Sequence, residues 1–210
     1  QQTIKNMNTL YSFPLDFDKY VNQSNYYWFE EGFTAEELKT LEQQVQEIPS
    51  QAGVTETGKQ ADGEGLESRN STIKWVPFSE ETKWIYDKIG MLAKTANDEM
   101  FHFDIHNMPE NIQYTEYYGT NKGHYDWHMD IGTEGHMKFR KISVTVQLSD
   151  SDEYEGGDLQ IWPGGQSPYT APRGKGNVVI FPSYLMHRVT PVTKGTRKSF
   201  VLWLGGGHFK

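Results

Sequence analysis

Apolar residues recur at helical spacing in two segments of the first half of the chain. Leu38, Leu41, Val45 and Ile48 mark one stripe. It follows Thr34-Ala35-Glu36-Glu37, in which the Thr can accept from the amide three residues on while the Glu reaches back to the cap. Pro49 predicts where that helix stops. The second stripe is Ile85, Ile89, Leu92, Ala96 and Met100, and Ser79-Glu80-Glu81 predicts its opening, with carboxylates at the positive end of the helix. Both stripes are expected to face a sheet. From about residue 100 the period shortens to alternation, predicting strands at 112–118, 141–148, 158–162, 177–181, 187–192 and 197–204. Glu155-Gly156-Gly157, Pro163-Gly164-Gly165 and Arg173-Gly174-Lys175-Gly176 separate these strands as turns, at the spacing of a sandwich or jelly roll. Between the helices, residues 51–68 carry Gly53, Gly58, Gly63 and Gly65 among polar side chains and predict a mobile loop, of a length common in lids and binding loops.

The pattern is therefore mainly β with N-terminal helices, an α+β chain. Its 210 residues suit one core. We expect a single domain over 1–210, with helical support over about 1–100 and a β core over about 101–204. An aromatic content of 14% and 20 glycines agree with a turn-rich β fold. A net charge of -8 and a pI near 5.4 provide no basic footprint for a phosphate backbone or an anionic lipid surface, so neither nucleic acid nor membrane is an expected partner. No apolar run approaches the roughly 20 residues of a membrane span, and the first residues lack the layout of a signal peptide. A soluble, cytoplasmic protein is the expectation, and residues before Met7 are assigned no function. The absence of cysteine excludes disulfides, thiolate catalysis and thiolate-bound metal, which leaves histidine and carboxylate as metal ligands.

Candidate ligands lie in Gly123-His124-Tyr125-Asp126-Trp127-His128-Met129-Asp130. In a strand, His128 and Asp130 project from one face and can share an ion, which gives two members of a 2-His-1-carboxylate facial triad. His187, in Phe181-Pro182-Ser183-Tyr184-Leu185-Met186-His187, is the candidate third. His124 and Asp126 form a rival pair, on the same face of an ideal strand; the loop signal at 131–135 favours His128 and Asp130, because it places them at a strand end open to substrate. Arg197 is a candidate carboxylate grip, since a guanidinium stays charged when buried and binds bidentately. If Thr193-Lys194-Gly195 forms a hairpin loop, His187, Val189, Arg197 and Ser199 share one face, and Ser199 can add a hydroxyl to the same carboxylate. Trp127 and Trp203 are expected to flank the site, and Lys138, Arg140 and Lys141 to mark an exposed strand end.

Taken as a set, His128-x-Asp130, His187, Arg197-x-Ser199, Glu155-Gly156-Gly157-Asp158-Leu159 and Phe181-Pro182-Ser183 resemble the 2-oxoglutarate- and iron(II)-dependent dioxygenases of the prolyl 4-hydroxylase type, over roughly residues 69–204. Arg197 stands where many prolyl 4-hydroxylases carry lysine, which is closer to the bacterial and phage-like hydroxylase branch. The resemblance implies a double-stranded β-helix, or jelly roll. It implies Fe(II) on His128, Asp130 and His187, 2-oxoglutarate as cosubstrate with its far carboxylate on Arg197, O2, and ascorbate as reductant. It also implies a tyrosine that hydrogen-bonds the cosubstrate, Tyr117 first and Tyr118 as the rival one register step away. The implied reaction is hydroxylation of a peptide or protein, at a prolyl residue first of all, coupled to decarboxylation of 2-oxoglutarate to succinate. The alternatives are another amino-acid side chain or a small molecule as substrate, and a non-catalytic jelly-roll binding module.

Overall fold

A computed structural model describes residues 25–53, 68–165 and 167–207. In chain order the strands and helices are β1 (Tyr27–Phe29), α1 (Ala35–Gln46), β2 (Gln51–Ala52), β3 (Arg69–Asn70), β4 (Thr72–Val76), α2 (Lys83–Ala96), β5 (Ile105–Asn107), β6 (Ile112–Tyr118), β7 (His124–His128), β8 (Arg140–Gln147), β9 (Tyr154–Gly156), β10 (Leu159–Trp162), β11 (Tyr169–Thr170), β12 (Val178–Pro182), β13 (Met186–Val189) and β14 (Val192–Gly206). Most of the segment read as a loop, residues 54–67, lies outside the described residues; at its start Gln51–Ala52 is a strand on β4 instead.

The α1 capping box forms as read, with Glu37 N–H donating to Thr34 Oγ1 at 3.3 Å and Thr34 N–H donating to Glu37 Oε2 at 2.8 Å. The second helix opens later than predicted. Ser79 to Thr82 make a turn held by Ser79 N–H to Thr82 Oγ1 at 2.9 Å and Thr82 Oγ1 to Pro77 O at 2.6 Å, and Glu80 and Glu81 sit in that turn. These hydroxyl bonds compete with helix geometry, so α2 begins at Lys83. Met100, the last residue of the predicted stripe, falls in a π-helical turn, Asn97–Phe101.

Among the described residues the strands form two antiparallel sheets. One runs β1-β12-β8-β14-β6-β4-β2, with β5 and β9 also paired to β14; the other runs β11-β10-β13-β7-β3. Facing each other, they make the jelly roll. Alternation on the large sheet assigns its two faces. Phe200, Leu202 and Leu204 of β14 and Ile142, Val144 and Val146 of β8 join Leu41, Val45, Ile85 and Ile89 of the helices in one apolar core. The intervening Arg197, Ser199, Val201 and Trp203 of β14, and Thr145 of β8, line a cavity between the sheets.

The hairpin expected at Thr193-Lys194-Gly195 is not there. Both edges of β13 are taken, by β10 and β7, so β14 cannot pair with it. The chain instead crosses between the sheets after Val189, and β14 pairs with β6, β8 and β9. The register of β14 on β9 shifts between Val192 and Lys194, and the next residue, Gly195, has φ +72°, where a Cβ would meet Glu153 O at 1.9 Å. His187 and Arg197 therefore line the cavity from opposite sheets rather than from one face of one hairpin.

Candidate metal centre and cosubstrate cavity

The cavity, about 400 Å³, is lined by His128, Asp130, His187, Arg197, Ser199 and Tyr117, which are all of the candidate site residues. The rival pair is separated from them by an irregularity in β7. Two steps along β13, from His187 to Val189, are matched by three along β7, from His128 to Tyr125. This bulge puts Tyr125 and His128 on the inner face together, with their rings stacked at 3.5 Å. Ideal alternation had placed His124 and Asp126 on the ligand face; with the extra residue Asp126 is exposed and neither lines the cavity.

His128, Asp130 and His187 bring one ligand atom each to within 4.8 Å of one another. His128 Nε2 is 3.8 Å and His187 Nε2 3.4 Å from the Asp130 carboxylate oxygens. Metal bonds of about 2.0–2.2 Å put two ligand atoms between roughly 3 and 4.4 Å apart, so one ion fits. The tautomers follow from the outer partners. His128 Nδ1 lies 2.7 Å from Asp126 O and His187 Nδ1 3.0 Å from Leu185 O. A carbonyl only accepts, so Nδ1 carries the hydrogen and Nε2 presents its lone pair. Burial first, and then the neighbouring His187, push the His128 imidazole well below its ordinary value, which keeps it neutral. Burial raises the Asp130 carboxyl, but His187, His128, the Ser143 hydroxyl donating at 2.6 Å, and Arg140 outweigh it and hold the group low. Two imidazoles that turn Nε2 toward a carboxylate held in its ionised form are the donor set that a facial-triad iron requires.

Arg197 is 2% exposed. Among the described residues no carboxylate meets it; its Nη1 donates to Ser199 Oγ at 3.3 Å, and the guanidinium stands 5.5 Å from the Tyr117 ring. Tyr117 is its strand partner and faces the cavity, whereas Tyr118 points the other way and donates to Glu116. A buried cation lacking an anion, across the cavity from a metal ligand set, fits the far carboxylate of a bound dicarboxylic acid.

Several expectations need correction. Trp203 lines the cavity, but Trp127 does not; alternation beside His128 turns it to the outer face, against Arg188 at 4.7 Å and Trp162 at 6.1 Å. Arg140 and Lys141 are buried rather than at an exposed strand end. Arg140 grips Glu110 at 2.6 and 2.7 Å, donates to Asp130 O at 3.0 Å and lies 3.7 Å over Trp203. Sequence reading also missed Tyr125 and Arg69. Arg69 is buried in the cavity wall 4.7 Å from the Tyr125 ring, with Nε donating to Ser71 Oγ at 2.9 Å and Nη2 unpartnered. Their one signal was proximity to the motif in Tyr125's case and the Arg69-x-Ser71 spacing at the end of a glycine-rich stretch in the other.

Residues 112–205, which contain His128, Asp130, His187, Arg197 and Ser199, match the family model described as the 2OG-Fe(II) oxygenase superfamily. With the ligand cluster and the jelly roll, this match makes the segment similar to the core of the 2OG-Fe(II) oxygenases, a family whose cofactors are Fe(II), 2-oxoglutarate and O2. Among curated proteins, a PKHD-type hydroxylase of Synechococcus sp. (strain CC9605) is 41% identical over 80 residues, covering 38% of this chain and 36% of the relative. One from Saccharophagus degradans is 48% identical over 65 residues, covering 30% and 27%. The chain thus spans well under half the length of these relatives. A Pseudomonas putida prolyl-4-hydroxylase superposes with a TM-score of 0.65 at 15% identity, over 87% of this chain and 93% of that one. A prolyl hydroxylase from Trichoplax adhaerens, solved in complex with a hypoxia inducible factor oxygen degradation domain peptide fragment, gives 0.71 at 17%, over 88% and 85%. These structural likenesses show the fold.

Proposed function

We propose that the chain hydroxylates a peptidyl substrate, at a prolyl residue first of all, while 2-oxoglutarate is converted to succinate and carbon dioxide. The observation that carries this is the pairing in one cavity of a His–His–carboxylate ligand set with the buried Arg197, which meets no carboxylate among the described residues. When bound, the iron activates dioxygen, and oxidative decarboxylation of 2-oxoglutarate supplies the electrons that let one oxygen atom enter a C–H bond of the substrate and the other enter succinate.

The chain's own residues bind, orient and keep out water. His128 and His187 are fixed by their backbone acceptors and Asp130 by Ser143, so the ligand set is organised before any ion arrives. Asp130 completes the triad; a small apolar residue there would free a position for halide. Arg197, Ser199 and Tyr117 form the grip for the cosubstrate's far end. The Tyr125 hydroxyl is pushed up to about 12, chiefly by burial, so it stays a proton donor at neutral pH beside the ligand His128. Arg69 lines the cavity and its Nη2 has no partner among the described residues, which suits it to hold a carbonyl or carboxylate of the substrate. A sugar-binding jelly roll has no use for a buried unpaired cation, and Arg197 weighs against that reading.

The test is incubation of the protein with proline-rich peptides, Fe(II), 2-oxoglutarate and ascorbate, read as peptide mass gain of one oxygen and as succinate release. Gain on a prolyl residue, lost in Asp130→Ala, supports the assignment. Gain on a different side chain or on a small molecule, with none on proline, would replace it.

A further inference from the structure

A second and larger concavity adjoins the metal cavity. It measures about 790 Å³ and lies between the end of β4, the outer turn of α2 and the segment leading into β6. Trp75 and Glu110 line both spaces, and the neighbouring residues His136 and Met137 line the groove and the cavity respectively. A chain leaving the cavity past Trp75 therefore enters the groove directly. We propose that this groove is the subsite for the segment of substrate polypeptide flanking the hydroxylated residue, and that it selects an apolar side chain accompanied by a basic one. The inference rests on the peptidyl reading of the site.

Volume comes first. The metal cavity has to hold the cosubstrate and the target residue within about 400 Å³, so the flanks of a polypeptide must lie elsewhere. One part of the groove's wall is aromatic, made by Trp75, Phe78 and Tyr86. Phe78 is 58% exposed, and its ring stands edge-on to Tyr86 at 5.3 Å. The Tyr86 hydroxyl is already committed, donating to Val76 O and accepting from Ile112 N–H, so the residue offers the groove a fixed ring and no free polar atom. Gly90 lies in the floor, inside α2, where glycine costs about 1 kcal/mol relative to alanine. A Cβ there would meet Met108 Cε at 2.7 Å, so the glycine lets Met108 lie down on the helix.

Charge then chooses the neighbour of the apolar side chain. Asp87 and Glu110 line the groove and, among the described residues, no lysine or arginine does, in a chain of net charge -8. Glu110 is occupied by Arg140. Among the described residues Asp87 pairs with Lys83 on the solvent side of α2, an exposed contact that is weakly held and open to exchange for an incoming cation.

The experiment compares a minimal capped prolyl peptide with extended peptides carrying Leu and Lys, or Leu and Glu, on either flank. Each is assayed with the iron-loaded enzyme for KM and kcat, in the wild type and in Phe78→Ser and Asp87→Lys. Extension with Leu and Lys is expected to lower KM about tenfold, the effect of burying one apolar side chain. Phe78→Ser should remove that gain, and Asp87→Lys should move the preference from the Lys to the Glu peptide. In both variants kcat, KM for the minimal peptide and KM for 2-oxoglutarate should be unchanged. If extended and minimal peptides are turned over with one KM, or the variants shift both alike, the groove is not the flanking subsite although the peptidyl reading stands. If no peptide of either length gains oxygen, the peptidyl reading itself fails and this inference with it.

Discussion

Arg197 poses the sharpest energetic question at the residue scale. A guanidinium 2% exposed, with a hydroxyl and a ring face as its neighbours, is a charge withdrawn from water without a counter-ion among the described residues. Such a group destabilises the ligand-free fold and is compensated when a carboxylate arrives. Arg197→Met should therefore raise the stability of the ligand-free protein by about 2 kcal/mol, roughly 4–8 °C in melting temperature for a chain of this size. The same change should weaken 2-oxoglutarate binding by about a hundredfold or more, because a desolvated charge-assisted pair is lost. Calorimetric melting of the ligand-free protein and anaerobic titration of the Mn(II)-loaded protein with 2-oxoglutarate read the two halves. A variant that melts lower than wild type, or binds the cosubstrate as well, contradicts the role assigned here. Residues whose chemistry is written in their type were legible in the sequence: His128, Asp130, His187 and Arg197 could be named from residue type and spacing, with the loop signal after Asp130 deciding against His124 and Asp126. Arg140 and Arg69 could not, because an arginine reads as surface until the fold shows what covers it.

At the scale of elements, one extra residue in β7 decides which histidine can serve. Parity along an ideal strand puts His124, Asp126, His128 and Asp130 on one face, and the choice among them needed an argument from the following loop. The bulge between Tyr125 and His128 breaks that parity and leaves only the second pair at the cavity. Hence His124→Ala and Asp126→Ala should leave Co(II) affinity within about twofold of wild type, whereas His128→Ala should lower it by a factor of about ten to a hundred or more. Visible absorption of the Co(II) protein measures both, and a loss of binding in Asp126→Ala would overturn the bulge assignment. The strands themselves were well foretold, since alternation over 112–118 coincides with β6 and the other predicted strands overlap observed ones. What alternation does not specify is partner choice. The hairpin drawn between His187 and Arg197 assumed that consecutive strands pair, and β13 had already spent both its edges. The late start of α2 has a similar origin, in hydroxyl bonds of Ser79 and Thr82 that no periodicity records.

Across the whole molecule, the cavity is a seam between two sheets, and its contents are bound by both. The small sheet contributes His128 and His187, with Asp130 just past the end of β7; the large sheet contributes Tyr117, Arg197 and Ser199. A ligand spanning the seam would tie the sheets together, whereas the apolar core beneath the large sheet, which includes Ile89 and Leu202, is shared with the helices and has no part in that closure. Mn(II) and 2-oxoglutarate should consequently stabilise the protein more together than the sum of their separate effects if, as proposed, the ion holds one end of the cosubstrate and Arg197 the other. At about a hundred times its dissociation constant a ligand contributes about 2.7 kcal/mol, or roughly 5–11 °C of melting temperature. Ile89→Ala, which opens a hole in the helix-facing core, should cost about 2–5 kcal/mol and lower every melting temperature, yet leave the ligand-induced increments intact. Arg197→Met should do the reverse, keeping the Mn(II) increment and losing the one from 2-oxoglutarate. Thermal scans of the three proteins, each with no ligand, either ligand and both, separate a seam that ligands close from a fold they merely decorate. Additive increments in the wild type, or a 2-oxoglutarate increment that survives in Arg197→Met, would mean that the two ends of the cavity do not act on one bound molecule.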